Sequence, residues 1–181
     1  MTDYEKEYFT NGGYRPMVNY PNHLLRAQKI IKIARPQSVL DVGCAYGYVT
    51  MYLQQLGLSA MGCDVSKWCE EQAARIIPNS YKRCPAWQLD FDDGQFDLIY
   101  CEGVLEHLPE DKINDVFKEF QRVGKRFYLA LAFAGREGVD KTEGHLCIHD
   151  IQWWFERMPE FSWLYGGPGC SAEGNQFIYK G

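Results

Sequence analysis

From residue 22 onward, short unbroken apolar runs alternate with segments whose apolar residues recur every three or four positions. The runs predict strands buried on both faces, and the wider spacing predicts helices lying over them. Asn22 is placed to cap a helix whose apolar face is Leu24, Ala27, Ile31 and Ala34, with Pro36 just beyond its end. Residues 38–42 (SVLDV) read as a strand, 43–47 as a turn, 48–56 as a helix ended by Gly57, and 59–64 as a second strand. Ser66 is placed to cap a helix showing Cys69, Ala73 and Ile76. Residues 81–86 give a weak third strand and 95–101 a clear fourth. A helix over 111–123 carries Ile113, Val116, Phe117 and Phe120 on one face, and a β-prone run covers 126–134. Ile151, Trp154, Phe155 and Met158 form one more helical face, and strands over 161–165 and 176–180 flank a glycine-rich turn. This alternation predicts an α/β domain with a doubly wound, mainly parallel sheet.

With 181 residues, the chain has the size of one domain, 1–181, in which the aromatic-rich segment 1–21 stands apart as a candidate lid. A net charge of −5 and a pI near 5.4 give no general attraction to nucleic acid or to an anionic membrane. Two local groups, Lys82 with Arg83 and Arg122 with Lys125 and Arg126, read as solvated helix ends and loops. The 7 cysteines include no C-x-x-C pair, and several end apolar runs as small hydrophobes. That favours a reducing compartment over a disulfide framework or zinc site. The charged N-terminus does not read as a signal peptide, no apolar run reaches membrane-spanning length, and the expected location is cytoplasmic.

The chemistry concentrates in residues 39–50, VLDVGCAYGYVT: a buried strand, a glycine-bearing turn and a helix. Ligands of such sheets bind beyond the carboxyl ends of the strands. A dinucleotide fingerprint starting at Gly43 would need glycines where Ala45 and Tyr48 stand, so that pattern is broken. Asp41 at the strand end would repel a pyrophosphate and favour a cationic ligand. Asp64, ending the second strand, is placed to accept the hydroxyls of a ribose or to cap the start of the next helix.

These segments, LDVGCAYG (40–47), GCDVS (62–66), DDGQFDLIYCEGVLEHLP (92–109) and FYLALAF (127–133), resemble the class I S-adenosylmethionine-dependent methyltransferases, in particular the small-molecule branch. The resemblance implies a Rossmann-like sheet of seven strands with one antiparallel strand near the C-terminus. It implies S-adenosylmethionine as cofactor and an enzyme that methylates oxygen, nitrogen or carbon of a small molecule. By resemblance, Asp41 and Gly43 hold the methionine end, with Glu102 beside its amino group, Asp64 holds the ribose, and backbone near Ala86 and Trp87 faces the adenine. Ala45, Gly47, Val65 and Tyr20, the last in the lid segment, are further expected cofactor-binding residues. Related enzymes often carry an acid where this chain has Gly103. Because Glu106 and His107 follow the fourth strand and His145 and His149 follow the fifth, these four are expected as one acceptor-side cluster, used as a metal-free base. The alternatives are a 2′-O-methyltransferase of RNA 3′ ends, using a metal held by Glu and His, and a non-catalytic cofactor-binding subunit.

Overall fold

The computed structural model describes residues 6–10, 22–132, 134 and 144–158, together with the backbone of 161–165 and 175–180. In chain order the elements are α1 (Lys6–Thr10), α2 (Asn22–Ala34), β1 (Ser38–Val42), α3 (Tyr48–Gln55), β2 (Ser59–Asp64), α4 (Lys67–Ile76), β3 (Tyr81–Arg83) and β4 (Leu98–Glu102). Two 3₁₀ turns follow, Leu105–His107 and Glu110–Lys112, then α5 (Ile113–Val123), β5 (Arg126–Leu131), α6 (Ile151–Arg157), β6 (Phe161–Tyr165) and β7 (Asn175–Lys180).

Strands β1 to β5 are all parallel, in the order β3-β2-β1-β4-β5. On the β5 side the sheet continues through β7 to β6. β7 runs antiparallel to both neighbours. Among the described residues no helix is long and apolar enough to cross a membrane.

Side chains alternate across β1, β4 and β5 and are buried on both faces. Leu40, Val42, Ile99, Cys101, Phe127 and Leu129 pack beneath α5, whose Ile113, Val116, Phe117, Phe120 and Val123 repeat at helical spacing. Val39, Leu98, Tyr100 and Tyr128 face α2 and α3 on the other side. The buried face of α2 is His23, Ala27, Ile30 and Ala34, one step round from the expected stripe; Leu24 is 36% exposed and Ile31 half-buried. His23 takes part because its ring stacks on Tyr48, with centroids 5.4 Å apart. Ser66 caps α4 as expected, its Oγ accepting from the Cys69 amide at 3.2 Å.

Three expected boundaries move. β3 stops at Arg83, and Pro85, which has no amide to donate, lies in the stretch beyond it. β4 begins at Leu98, because Phe96 makes only an isolated bridge to Gly124. The V-L-E-H segment forms a 3₁₀ turn, and the next α-helix starts only at Ile113. The basic residues are also not simply solvated. Arg122 donates to the carbonyls of Leu89 and Phe91 and pairs with Glu119 and Asp93. Arg126 donates to the Ala34 carbonyl, and Lys125, Lys82 and Arg83 pair with Asp97, Asp90 and Glu70.

Candidate active site

The turn after β1 is fixed by backbone geometry. Gly43 has φ +74°, and a Cβ there would run into the side chain of Val104. Its amide and that of Cys44 both donate to the Cys63 carbonyl, at 2.8 and 3.1 Å. Ala45 also adopts a positive φ, +48°, which an alanine tolerates only under constraint. The constraint is Asp64, whose Oδ2 accepts from the Ala45 amide at 3.0 Å while Oδ1 accepts from the Ser66 amide at 3.0 Å. One carboxylate thus ties the β1–α3 turn to the start of α4, in keeping with the helix-start role expected of Asp64.

A cavity of about 120 Å³ opens beside this turn, at the carboxyl ends of the parallel strands. Gly43, Ala45, Asp64 and Val65 line one wall, and Cys84, Pro85, Ala86 and Trp87 another. The Arg122 contacts to the Leu89 and Phe91 carbonyls hold the segment that follows Trp87. From α1, Tyr8 and Phe9 reach the same cavity, and Phe9 packs on Tyr46. Tyr4, Tyr14 and Tyr20 lie outside the described residues.

Asp41, Gly47 and Glu102 do not line the cavity. Asp41 points to the α2/α3 face, where it is buried and accepts from Thr50 Oγ1 at 2.9 Å. Burial is the main cause that pushes its carboxyl up to about 7, with the charge of Glu102 adding to it. Gly47 packs against Ile77 at the start of α3. Glu102 is engaged by Arg26, whose Nε lies 2.8 Å from Oε2 and whose Nη2 donates to Oε1 at 3.0 Å, and by the Tyr100 hydroxyl. Arg26 is the partner of Glu102 that sequence reading missed. Its signal was a single cation at the head of a helix, with nothing local to mark its carboxylate 76 residues away.

The far wall comes from Gly103, Val104, His107, Leu108 and Pro109. Three of the four expected acceptor-side residues meet here. Donor atoms of Glu106, His107 and His145 all lie within 4.8 Å of one another, and the two imidazoles meet edge to face at 4.7 Å. The Leu146 and Cys147 amides donate to the Glu106 carbonyl at 2.8 and 3.0 Å, pinning the two segments together. His107 Nδ1 lies 3.1 Å from the Gly144 carbonyl. A carbonyl only accepts, so Nδ1 carries the proton and Nε2 keeps its lone pair. Burial holds this imidazole below its ordinary pKa, so it is neutral near pH 7. His149 is the exception. It stacks on Trp153 at 3.8 Å, its Nε2 meets Glu110 at 2.9 Å, and the Arg157 guanidinium lies 3.6 Å from the same indole. The residue after it, Asp150, caps α6, so the helix start carries His149 out of the cluster.

Residues 39–126 match a family of methyltransferase domains. The uncharacterized methyltransferase sll0829 of Synechocystis is 30% identical over 96 residues, covering 52% of this chain and 45% of that protein. The ubiquinone biosynthesis O-methyltransferase of Methylococcus capsulatus is 31% identical over 83 residues, covering 41% of this chain and 34% of that protein. The matched region thus spans less than half the length of either relative. In fold, the chain is similar to the magnesium protoporphyrin IX methyltransferase of Synechocystis, solved with bound S-adenosylhomocysteine, with a TM-score of 0.62 at 17% identity over 86% of this chain and 81% of that one. The chain is thus similar to methyltransferase domains over residues 39–126, just under half of its length, and the glycine turn and the parallel strands β2 to β4 lie within that region.

Proposed function

We propose that this chain binds S-adenosylmethionine in the cavity beside Gly43 and transfers its methyl group to a hydroxyl oxygen of a small, largely apolar molecule. One observation carries the reading: a single cavity has the glycine turn and Asp64 on one wall and His107 on the other.

The residues present suit the cofactor. Among the described residues the lining is mainly apolar, with Asp64 as its acid and with no Lys or Arg to receive a phosphate. Val65 and Trp87 offer apolar surface to a flat ring, and the Asp64 carboxylate suits ribose hydroxyls. When bound, S-adenosylmethionine supplies a methyl group already activated by the sulfonium. The protein's work is to align the acceptor, exclude water and hold the acceptor's proton. His107, neutral and with Nε2 as an acceptor, is the base, and His145 and Glu106 position it. Oxygen is favoured as the acceptor atom because relatives bear the names ubiquinone biosynthesis and tocopherol O-methyltransferase. Calorimetry with S-adenosylmethionine, its demethylated product and NAD tests the reading. Binding of the first two alone is expected, whereas binding of NAD alone would overturn it.

A second reading has one observation in its favour. Glu106, His107 and His145 offer three donors within 4.8 Å, the number that catalytic metal sites commonly use. In that reading Glu106, His107 and His145 would hold a divalent cation, which would supply Lewis acidity toward the acceptor hydroxyl in place of a His107 base, and the acceptor class widens to RNA 3′ hydroxyls. Loss of methyl transfer on chelation, restored by added divalent ion, would select it. Cofactor binding with no transfer to any screened acceptor would instead mark a cofactor-binding subunit.

A further inference from the structure

The cofactor wall carries a pair of thiols that methyl transfer does not use. Cys63 is fully buried at the end of β2, and its carbonyl receives the amides of Gly43 and Cys44. Cys84 follows β3 on the adjacent parallel strand, lines the cavity, and donates its amide to the Asp64 carbonyl at 3.1 Å. The two side chains share one face of the sheet and the same buried cluster. Both are bonded, through the backbone, to the elements that shape the cofactor turn.

We propose that Cys63 and Cys84 form a peroxide-sensitive dithiol whose oxidation closes the cofactor site. The proposal rests on the cavity being the S-adenosylmethionine site.

The neighbouring thiols are not equivalent. The neighbouring Cys63 thiol draws the Cys84 thiol down to about 7, helped by the Asp90 amide and the Lys82 ammonium. Cys44 is pushed well up by burial, and Cys63 by the neighbouring Cys84 thiol and by burial. Cys84 is thus the nucleophile, and its place on the cavity wall gives a small oxidant a route to it. The Cys84 thiolate attacks one oxygen of hydrogen peroxide. The O–O bond breaks, the second oxygen leaves as hydroxide and takes up a proton, and Cys84 becomes a sulfenic acid. Cys63 sulfur then attacks Cys84 sulfur. The S–S bond forms, the S–O bond breaks, and the oxygen leaves as water with the Cys63 proton. The two sulfurs together lose two electrons, which the peroxide accepts. Joining the two sulfurs ties the end of β3 to β2, which shifts Asp64 and the carbonyl that holds Gly43. A bound cofactor, in turn, covers Cys84.

The full chain is treated with limiting hydrogen peroxide, with and without S-adenosylhomocysteine, and read by intact mass, peptide mapping and calorimetry. Expected is a Cys63–Cys84 disulfide that forms more slowly with S-adenosylhomocysteine present. Affinity for S-adenosylhomocysteine should fall by about tenfold or more, and dithiothreitol should restore it. In Cys63→Ser, oxidation should stop at a Cys84 sulfenic acid trapped by dimedone. In Cys84→Ser, oxidant should leave affinity at that variant's own untreated value. A chain that binds S-adenosylhomocysteine but leaves Cys84 unmodified, or forms the disulfide without losing affinity, overturns the proposal. Failure of the untreated chain to bind S-adenosylhomocysteine would instead overturn the functional reading, because the mass measurement needs no ligand.

Discussion

The cavity wall proposed for the cofactor and the far wall proposed for the acceptor are built on different principles. The cofactor wall is local. Gly43 and Ala45 follow β1 and Asp64 ends β2, and backbone amides hold them together within a span of 22 residues. The acceptor wall is assembled from a distance. His107 follows β4 and His145 follows β5, and what joins them is a loop whose amides reach the Glu106 carbonyl. A local turn specifies one ligand with little freedom to vary, whereas a wall of loops can change its acceptor without disturbing the sheet. The division is also physical. The cofactor wall presents backbone and one carboxylate, and the acceptor wall presents titratable rings.

The sharpest way to break the comparison is Gly43→Val. A side chain at φ +74° is strained, and it must displace Val104, which belongs to the acceptor wall. Cofactor binding should be lost, and stability should fall by about 2–4 kcal/mol, checked by calorimetry and by thermal or denaturant unfolding. If Gly43→Val binds normally, the turn is not the rigid element described above.

His107→Ala comes next. It should keep cofactor affinity and lose about 10²-fold or more in transfer rate, measured in single turnover with a screened acceptor. The pH profile sharpens this. Burial depresses the His107 pKa below its ordinary 6.5, so the neutral base persists into mildly acid solution and the acid limb of kcat/KM should fall below pH 6.5. The same depression gives His107 a stabilising contribution that is full above pH 6.5 and lost as pH falls through the folded-state pKa. An acid limb above pH 7 would exclude His107 as the base.

Asp64→Asn tests the cofactor wall more gently. The amide oxygen can still accept one of the two backbone amides, so the fold should hold. The charge-assisted bonds to ribose are lost, and affinity should weaken by about 1–3 kcal/mol. Unchanged affinity would confine Asp64 to its backbone role at Ala45 and Ser66.

The same local-versus-distant division explains what was legible in the sequence. The order of strands and helices could be read because apolar spacing reports burial directly, and Ser66 as a cap because its bond lies within one helical turn. The glycine turn and Asp64 were legible for the same reason. The α2 face was misread because the pattern favoured Leu24 over His23, whose buried imidazole stacks on the Tyr48 ring of another helix. Asp41 and Glu102 were placed at the cofactor by position in their motifs. Strand alternation turns Asp41 toward Thr50, and Glu102 is taken up by Arg26, a residue far away in the chain. Arg122 was read as solvated because carbonyl acceptors leave no mark in a sequence.

His149→Ala should have the smallest effect, and it tests where the acceptor wall ends. Chain order alone groups His149 with His145, but the start of α6 separates them. The His149 carbonyl receives the Ala134 amide, and its ring lies flat on Trp153. Removing the imidazole deletes one exposed contact with Glu110 and one stacking face, while Asp150 still caps the helix. Exposed ion pairs contribute about 0–1 kcal/mol and aromatic pairs about 0.5–1.5 kcal/mol, so a modest fall in stability is expected. Transfer rate should stay within about threefold of the parent, since His149 neither lines the cavity nor joins the Glu106–His107–His145 group. Rate constants for His149→Ala and His145→Ala, measured side by side, decide the matter. A loss in His149→Ala as large as that in His107→Ala would show that the loop between β5 and α6 brings His149 over the acceptor during turnover. A loss confined to His107→Ala and His145→Ala would place the edge of the catalytic wall at Gly144 to Cys147.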